Sequence, residues 1–342
     1  MNSSDFYFTI GKSVFWKTAM KTQAQQIEFF TITPLKITPD STSGKCILSR
    51  KLKLLHSLLI LWLIHSLFTS TGLASDMLIT AQQLANMQNV VILDTRPTWR
   101  YLLGHIPGAV NPGHWKTYSK TVDGVPALNE DKTFIAERLR EMGIDYGKTI
   151  VIYGDAKDPW RTDGRFFWMF QRYGFDTVSL LNGGWEAWLK NGNASEKGTG
   201  KAQSSSVSPN DIKLNDNVIV FQKWIQEKLG SKSLAIIDNR TRKEFDGAIL
   251  YGEKRGGHIP GAIHIDWKEF FSDTGWLRDR EALSTLIAKY DIRKDQDIVV
   301  YCTGGVRSAM AYFVLRYLDY KVRNYDGSWW DWSHNPALPA EQ

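Results

Sequence analysis

From residue 76 onward, short apolar runs rich in β-branched residues alternate with longer stretches of helical spacing. "VVIL" (90–93), "TIVIY" (149–153) and "TVSLL" (177–181) read as buried strands, and so do "AIID" (235–238), "DIVVY" (297–301) and "KVRNY" (321–325). Between them, "DKTFIAERLREMG", "REALSTLIAKYDI" and "RSAMAYFVLRYLDY" place apolar residues three and four apart, as one face of a helix requires. Alternating strands and helices predict an α/β fold with mostly parallel sheets.

The pattern occurs twice. "VVILDTR" at Val90 returns as "LAIIDNR" at Leu234, and "GHIPGAV" at Gly104 as "GHIPGAI" at Gly257. "KTIVIYG" at Lys148 returns as "QDIVVYC" at Gln296, and "LNGGWEAW" at Leu181 as "YDGSWWDW" at Tyr325. Four blocks in the same order indicate a duplicated domain. A larger offset at the second block marks an insertion around "GAILYGEKRG" in the second copy. Residues 193–210, rich in Gly, Ser and Lys with no apolar period, read as a linker. The expected organisation is a leader over 1–75, a first domain over 76–192 and a second over 211–342.

The leader changes the reading of charge. Residues 1–75 carry 8 Lys and Arg against 3 Asp and Glu; the remainder carries 34 against 33. The basicity belongs to the leader, so the body has no global field to hold nucleic acid. Arg50, Lys51 and Lys53 precede the apolar run Leu54–Phe68, and Gly72 and Ala74 follow. This order is that of a secretory signal cut after Ala74, which places the body in a bacterial periplasm. The alternative is an uncut anchor over 54–68, although about 20 apolar residues are wanted for a span. The 49 residues before Arg50 have no clear period and read as an over-extended start.

The chain has two cysteines, Cys46 and Cys302. Removal of the leader leaves Cys302 alone, without an intramolecular disulfide. It follows the strand "DIVVY", opens the loop "CTGGVR" and precedes the helix "SAMAYFVLRYL". A thiol reacts as its thiolate. A helix start, a curl permitted by Gly304 and Gly305, and the charge of Arg307 would each favour that anion. A small buried residue at a strand end is the plainer alternative.

These residues resemble the rhodanese-like sulfurtransferases in their tandem form. The resemblance rests on "HIPGA" at His105–Ala109 and His258–Ala262, on D-x-R at Asp94–Arg96 and Asp238–Arg240, on "YDGSWWDW", and on the six-residue loop Cys302–Arg307. It covers roughly 76–334. It implies two tandem rhodanese-like domains, each a mostly parallel sheet flanked by helices. The first would be inactive, since Gly154 stands where the second has Cys302. The implied reaction takes sulfane sulfur from thiosulfate or 3-mercaptopyruvate onto Cys302 and passes it to a thiol or cyanide, with no metal or organic cofactor. A protein acceptor is a further possible partner. Arg307, Thr303, Gly304, Gly305 and Val306 would bind substrate. Arg240 has two readings, a structural pair with Asp238 or a substrate contact.

Four departures leave the donor open. Thr303 and Gly304 stand where thiosulfate enzymes usually carry basic residues. Glu244 replaces a frequent second arginine, Asp331 a usual glutamate, and Lys254 an expected aromatic residue. A phosphatase of the same fold would need C-x5-R, but the arginine lies at C-x4-R and C-x5 falls on Ser308. A persulfide carrier fed by a protein partner remains the alternative function. His105 and His258, inside the hallmark motif, are expected to be structural, and "WWDW" to be core or cleft wall.

Overall fold

The runs of Val and Ile form strands because branched side chains pack well on a pleated, buried surface. The structure, a computed structural model, describes residues 77–342. The leader, with its apolar run and Cys46, lies outside the described residues. Among the described residues no helix is long and apolar enough to cross a membrane.

The first repeat builds a four-stranded sheet from β1 (Leu78–Ile79), β2 (Val90–Asp94), β5 (Thr149–Tyr153) and β6 (Val178–Leu181), in the order β1-β6-β5-β2. The second builds five strands, β7 (Ile219–Val220), β8 (Leu234–Asp238), β9 (Ile263–His264), β10 (Asp297–Tyr301) and β11 (Val322–Tyr325), in the order β7-β11-β10-β8-β9. All neighbours in both sheets are parallel. A parallel bridge between Leu93 and Val110 in the first sheet takes the place of β9. The six strands expected from the sequence are present. The two-residue edge strands, too short to show a period, were not legible. Neither was the antiparallel hairpin of β3 (Ser119–Val122) and β4 (Val125–Leu128).

Ten α-helices are described: α1 (Ala81–Ala85), α2 (Thr98–Leu103), α3 (Lys132–Met142), α4 (Thr162–Arg172), α5 (Gly184–Lys190), α6 (Gln222–Lys228), α7 (Arg242–Phe245), α8 (Arg280–Ala288), α9 (Arg307–Tyr317) and α10 (Ser328–His334). The Asp131 carboxylate caps α3 by accepting from Phe134 N, and Asp279 caps α8 from Ala282 N.

Helices α4 and α9 occupy equivalent places, each following the central strand of its repeat, and they pack on one another. Both are buried on nearly every face. Phe167 meets Phe313 edge to face at 4.8 Å, and Tyr312 Oη donates to Gln171 Oε1 at 2.6 Å. A Cβ on Gly164 would lie 2.7 Å from the Met310 backbone, so only glycine allows this approach. One apolar cluster therefore runs through both repeats. Arg165 of α4 is buried and ion-paired with Asp326, whose other oxygen accepts from Leu128 N at 2.7 Å.

Residues 193–210 are not a free spacer as their composition suggests. Glu196 pairs with His105 through both backbone groups, at 2.9 Å each, and its carboxylate accepts from Gly108 N. Further on, the Ser205 hydroxyl donates to Ile144 O and the Val207 side chain is buried. The segment is a strap hydrogen-bonded along the first repeat. The second repeat ends the same way: Glu341 pairs with His258 at 2.8 and 3.0 Å and accepts from Gly261 N.

Candidate active site

Cys302 lies just beyond the carboxyl end of β10, the middle strand of its sheet, where open α/β sheets bind ligands. It is 1% exposed and is the free cysteine among the described residues. Two elements hold the loop from outside. The start of α10 binds it through Trp329 N to Cys302 O at 3.0 Å and Trp330 N to Thr303 O at 2.9 Å. The Ser328 hydroxyl accepts from Cys302 N at 3.1 Å. From the first repeat, Arg165 donates to Gly305 O at 3.2 Å. Gly305 has φ of +74°, the left-handed conformation that curls the loop, and that conformation favours glycine.

Burial alone would push the Cys302 thiol up. It is nonetheless held below its ordinary value, because the Arg307 charge, the Ser308 and Gly304 backbone N–H groups and the Ser308 hydroxyl all favour the thiolate. The Ser308 Oγ to Sγ distance is 3.6 Å. The curl expected from Gly304 and Gly305 is thus present. Ser308, which enters the sequence argument only as the residue at C-x5, proves to be a sulfur partner. Its place in the first turn of α9 is the signal that could have found it.

Arg307, expected to bind substrate, is ion-paired within the protein. Its guanidinium is buried and donates to Glu244 through Nη1 at 2.8 Å and Nη2 at 2.7 Å, and from Nη2 to Thr303 Oγ1 at 2.7 Å. The Thr303 hydroxyl in turn donates to Glu244 Oε1 at 2.7 Å. Thr241 completes the set with its N–H and hydroxyl on Glu244 Oε2, the capping box of α7. Burial opposes ionisation of Glu244, but Arg307 and the two threonine hydroxyls hold its carboxyl down at about 2. The residue that stands where the family often has a second arginine is therefore the ion-pair partner of Arg307.

Arg240, given two readings above, makes the pair with Asp238. It is fully buried, gripping Asp238 with Nε and Nη2 and reaching Gly257 O at 2.7 Å. Tyr301 beneath it accepts from Ile259 N, so strand β10, D-x-R and "HIPGA" form one support. His258 is structural as expected: Nδ1 donates to Phe245 O at 3.0 Å, and the ring stacks on Phe245 at 3.6 Å. Arg255 donates to the carbonyls of Asn335 and Leu338.

Thr303, Gly304, Val306 and Arg307 form the floor of a cleft of about 360 Å³. Its walls are His114, Trp115, Lys116 and Trp160 from the first repeat, and Tyr251 and Trp330 from the second. "WWDW" is both things expected of it, since Trp329 and Trp332 are fully buried core while Trp330 faces the cleft. Trp330 Nε1 donates to Tyr251 O at 3.0 Å, tying the insertion of the second repeat to the site. A Cβ on Gly304 would lie 2.2 Å from the Trp330 ring. Nothing in a single sequence joins Trp160 to Cys302; only the packing of the repeats does. In the first repeat Gly154 occupies the cysteine position and Arg161, not a thiol, dominates the loop, paired with Asp163.

A family model described as a Rhodanese-like domain matches residues 80–191 and again 221–335. The thiosulfate sulfurtransferase of Corynebacterium glutamicum is 36% identical over 264 residues, covering 70% of this chain and 81% of that protein. The sulfur carrier protein TtuD of Thermus thermophilus is 33% identical over 254 residues, covering 70% and 86%. The crystal structure of SseA from Escherichia coli, a 3-mercaptopyruvate sulfotransferase by its description, matches with a TM-score of 0.65 at 26% identity, over 74% of this chain and 98% of that one. With two matched domains covering most of the described residues, the chain belongs to the rhodanese-like family.

Proposed function

We propose that this sulfurtransferase moves sulfane sulfur from an anionic donor, thiosulfate or 3-mercaptopyruvate, to a thiol or cyanide through a persulfide on Cys302. The observation that carries the reading is the convergence of Arg307, the Ser308 hydroxyl and the N–H groups of Gly304 and Ser308 on one buried sulfur at a strand end. The Cys302 thiolate attacks the outer sulfur of the donor. A bond forms between the two sulfurs, and the donor's bond to that sulfur breaks, releasing sulfite or the enolate of pyruvate. The acceptor then attacks the outer sulfur of the persulfide, and Cys302 leaves as thiolate. The persulfide form of the enzyme stands between the half-reactions, the first product having left before the acceptor binds, which gives ping-pong kinetics. The loop N–H groups are in place before charge arrives, so they stabilise it without reorganisation.

Intact-protein mass spectrometry tests this. Incubation with each donor in turn is expected to add one sulfur to Cys302, and cyanide to remove it. No added sulfur with either donor, on protein whose Cys302 still alkylates, would overturn the reading.

A persulfide carrier loaded by a protein partner is the second reading. It is favoured by Glu244, which cancels the cation a small anionic donor would use. Labelling without steady turnover would select it. We further propose export to the periplasm, supported by the basic, apolar and small-residue order of 50–74. Amino-terminal sequencing of the protein recovered from cell fractions tests it, with a start at Ser75 expected and an intact 54–68 segment contradicting cleavage.

A further inference from the structure

A cleft beside the Cys302 loop is walled by Trp115, Trp160, Tyr251 and Trp330; of the two basic side chains that line it, Arg307 is buried and matched by a buried carboxylate, and Lys116 is exposed. Ring faces are the negative side of an aromatic quadrupole and repel an anion, while they attract apolar, planar or cationic bodies. Thiosulfate has no carbon, and 3-mercaptopyruvate is small and anionic, so neither donor uses four such walls. The volume of about 360 Å³ falls in the range of about 300–1,000 Å³ typical of pockets for organic ligands. Two walls come from one repeat and two from the other. Trp160 and Tyr251 meet edge to face across the repeats at 5.5 Å. Their arrangement is fixed: Trp330 is hydrogen-bonded to Tyr251 O, and the turn that presents Tyr251 is held by Glu253, which accepts from Leu250 N and Tyr251 N. The Arg307 guanidinium lies 5.6 Å from the ring centroids of both Trp160 and Tyr251, and each ring is still 41% exposed, which leaves its remaining surface open to an entering molecule.

We infer that the sulfur acceptor is an organic thiol with an aromatic or planar apolar body, bound between these rings with its sulfur directed to Cys302. The inference rests on the sulfur-transfer reading above and names the class of its second substrate. The acceptor thiolate bonds to the outer persulfide sulfur, the Cys302 sulfur–sulfur bond breaks, and the products are an aryl- or arylalkyl-persulfide and the Cys302 thiolate.

The test uses the full chain, loaded with sulfur by thiosulfate or 3-mercaptopyruvate and freed of donor. Loss of the added sulfur is timed by intact mass against phenylmethanethiol and against 2-mercaptoethanol. The ratio of the two rates is expected to favour phenylmethanethiol, and to fall about tenfold in Trp160→Ala and in Tyr251→Ala, the effect of losing one ring contact of up to about 1.5 kcal/mol. Both positions are partly exposed, and successful loading of each variant shows that its site is intact. An unchanged ratio in loaded Trp160→Ala and Tyr251→Ala overturns the inference and leaves sulfur transfer standing. Failure of the wild-type chain to load overturns the transfer reading, and this inference with it.

Discussion

Glu244 receives both terminal nitrogens of Arg307, at 2.8 and 2.7 Å, with neither side chain open to solvent. Arg307 acts electrostatically on Cys302, so the pair sets the charge the nucleophile meets. Replacing Glu244 by Gln keeps the shape and removes the carboxylate. Arg307 then acts undiminished on Cys302, and the pH midpoint for alkylation of the thiol is expected to fall further. Turnover of thiosulfate relative to an uncharged donor is expected to rise. The same change leaves a buried cation without its partner, at a cost of about 3–5 kcal/mol, read as a lower melting temperature at neutral pH. The folded carboxyl, at about 2, lies below its ordinary value of 4.5. Its contribution is therefore complete above about 4.5 and is lost as pH falls toward 2. The variant should lack that acid dependence. An unchanged alkylation midpoint would show that Glu244 serves only stability.

Arg307 and Ser308 both favour the thiolate. Arg307→Gln and Ser308→Ala are each expected to move the alkylation midpoint of Cys302 to higher pH, Arg307→Gln by more because its charge is the largest stabilising influence. Cys302→Ser should abolish transfer and leave the fold unchanged, since the position is buried and the two side chains are similar in size. Rates of iodoacetamide labelling across pH measure the first two, and persulfide formation the third.

The sheets and the nucleophile loop were legible because each rests on local chemistry: a run such as "DIVVY", a glycine pair that can curl, a helix that follows. The charge state of the loop was not, because Glu244 and Arg307 are 63 residues apart and meet only when α7 and α9 pack against the same strand ends. Glu244 is visible in the sequence as a departure from the family, yet its effect is a matter of geometry. Helix α4 escaped notice for the opposite reason. Its apolar residues fall in one unbroken run, "FFWMF", whose length suits a buried strand as well as a helix. The composition of 193–210 suggested a loose linker, while hydrogen bonds from Glu196 and Ser205 bind it down.

The close approach of α4 and α9 predicts a stability effect far from the cysteine. Gly164→Val would force its side chain into Met310, whose backbone lies 2.7 Å from an added Cβ. Overpacking of this kind costs about 1–3 kcal/mol. Arg165→Met, which strands Asp326, should also destabilise and should loosen Gly305 O, the carbonyl that Arg165 holds. Thermal melting reads both. Persulfide formation, measured below the melting range, is expected to be slowed more by Arg165→Met than by Gly164→Val.

The terminal latch gives another expectation. Glu341→Ala removes the carboxylate acceptor of Gly261 N and keeps the two backbone bonds to His258. Deletion of residues 340–342 removes all three. Amide exchange over His258–Ala262 should rise modestly in the first variant and sharply in the second. Equal protection in the deletion variant would show that "HIPGA" needs no latch.

Helices α4 and α9 are the same element of two copies of one domain, and they meet face to face. Two equivalent elements packed on each other are also what a contact between identical subunits through one shared patch would bring together. The chain is in this sense a covalently closed dimer that kept one nucleophile out of two. Its self-complementary face is already occupied from within, so the surface through which a single repeat would pair is no longer on offer. The subunit without a cysteine cannot be exchanged or diluted away from the one it supports.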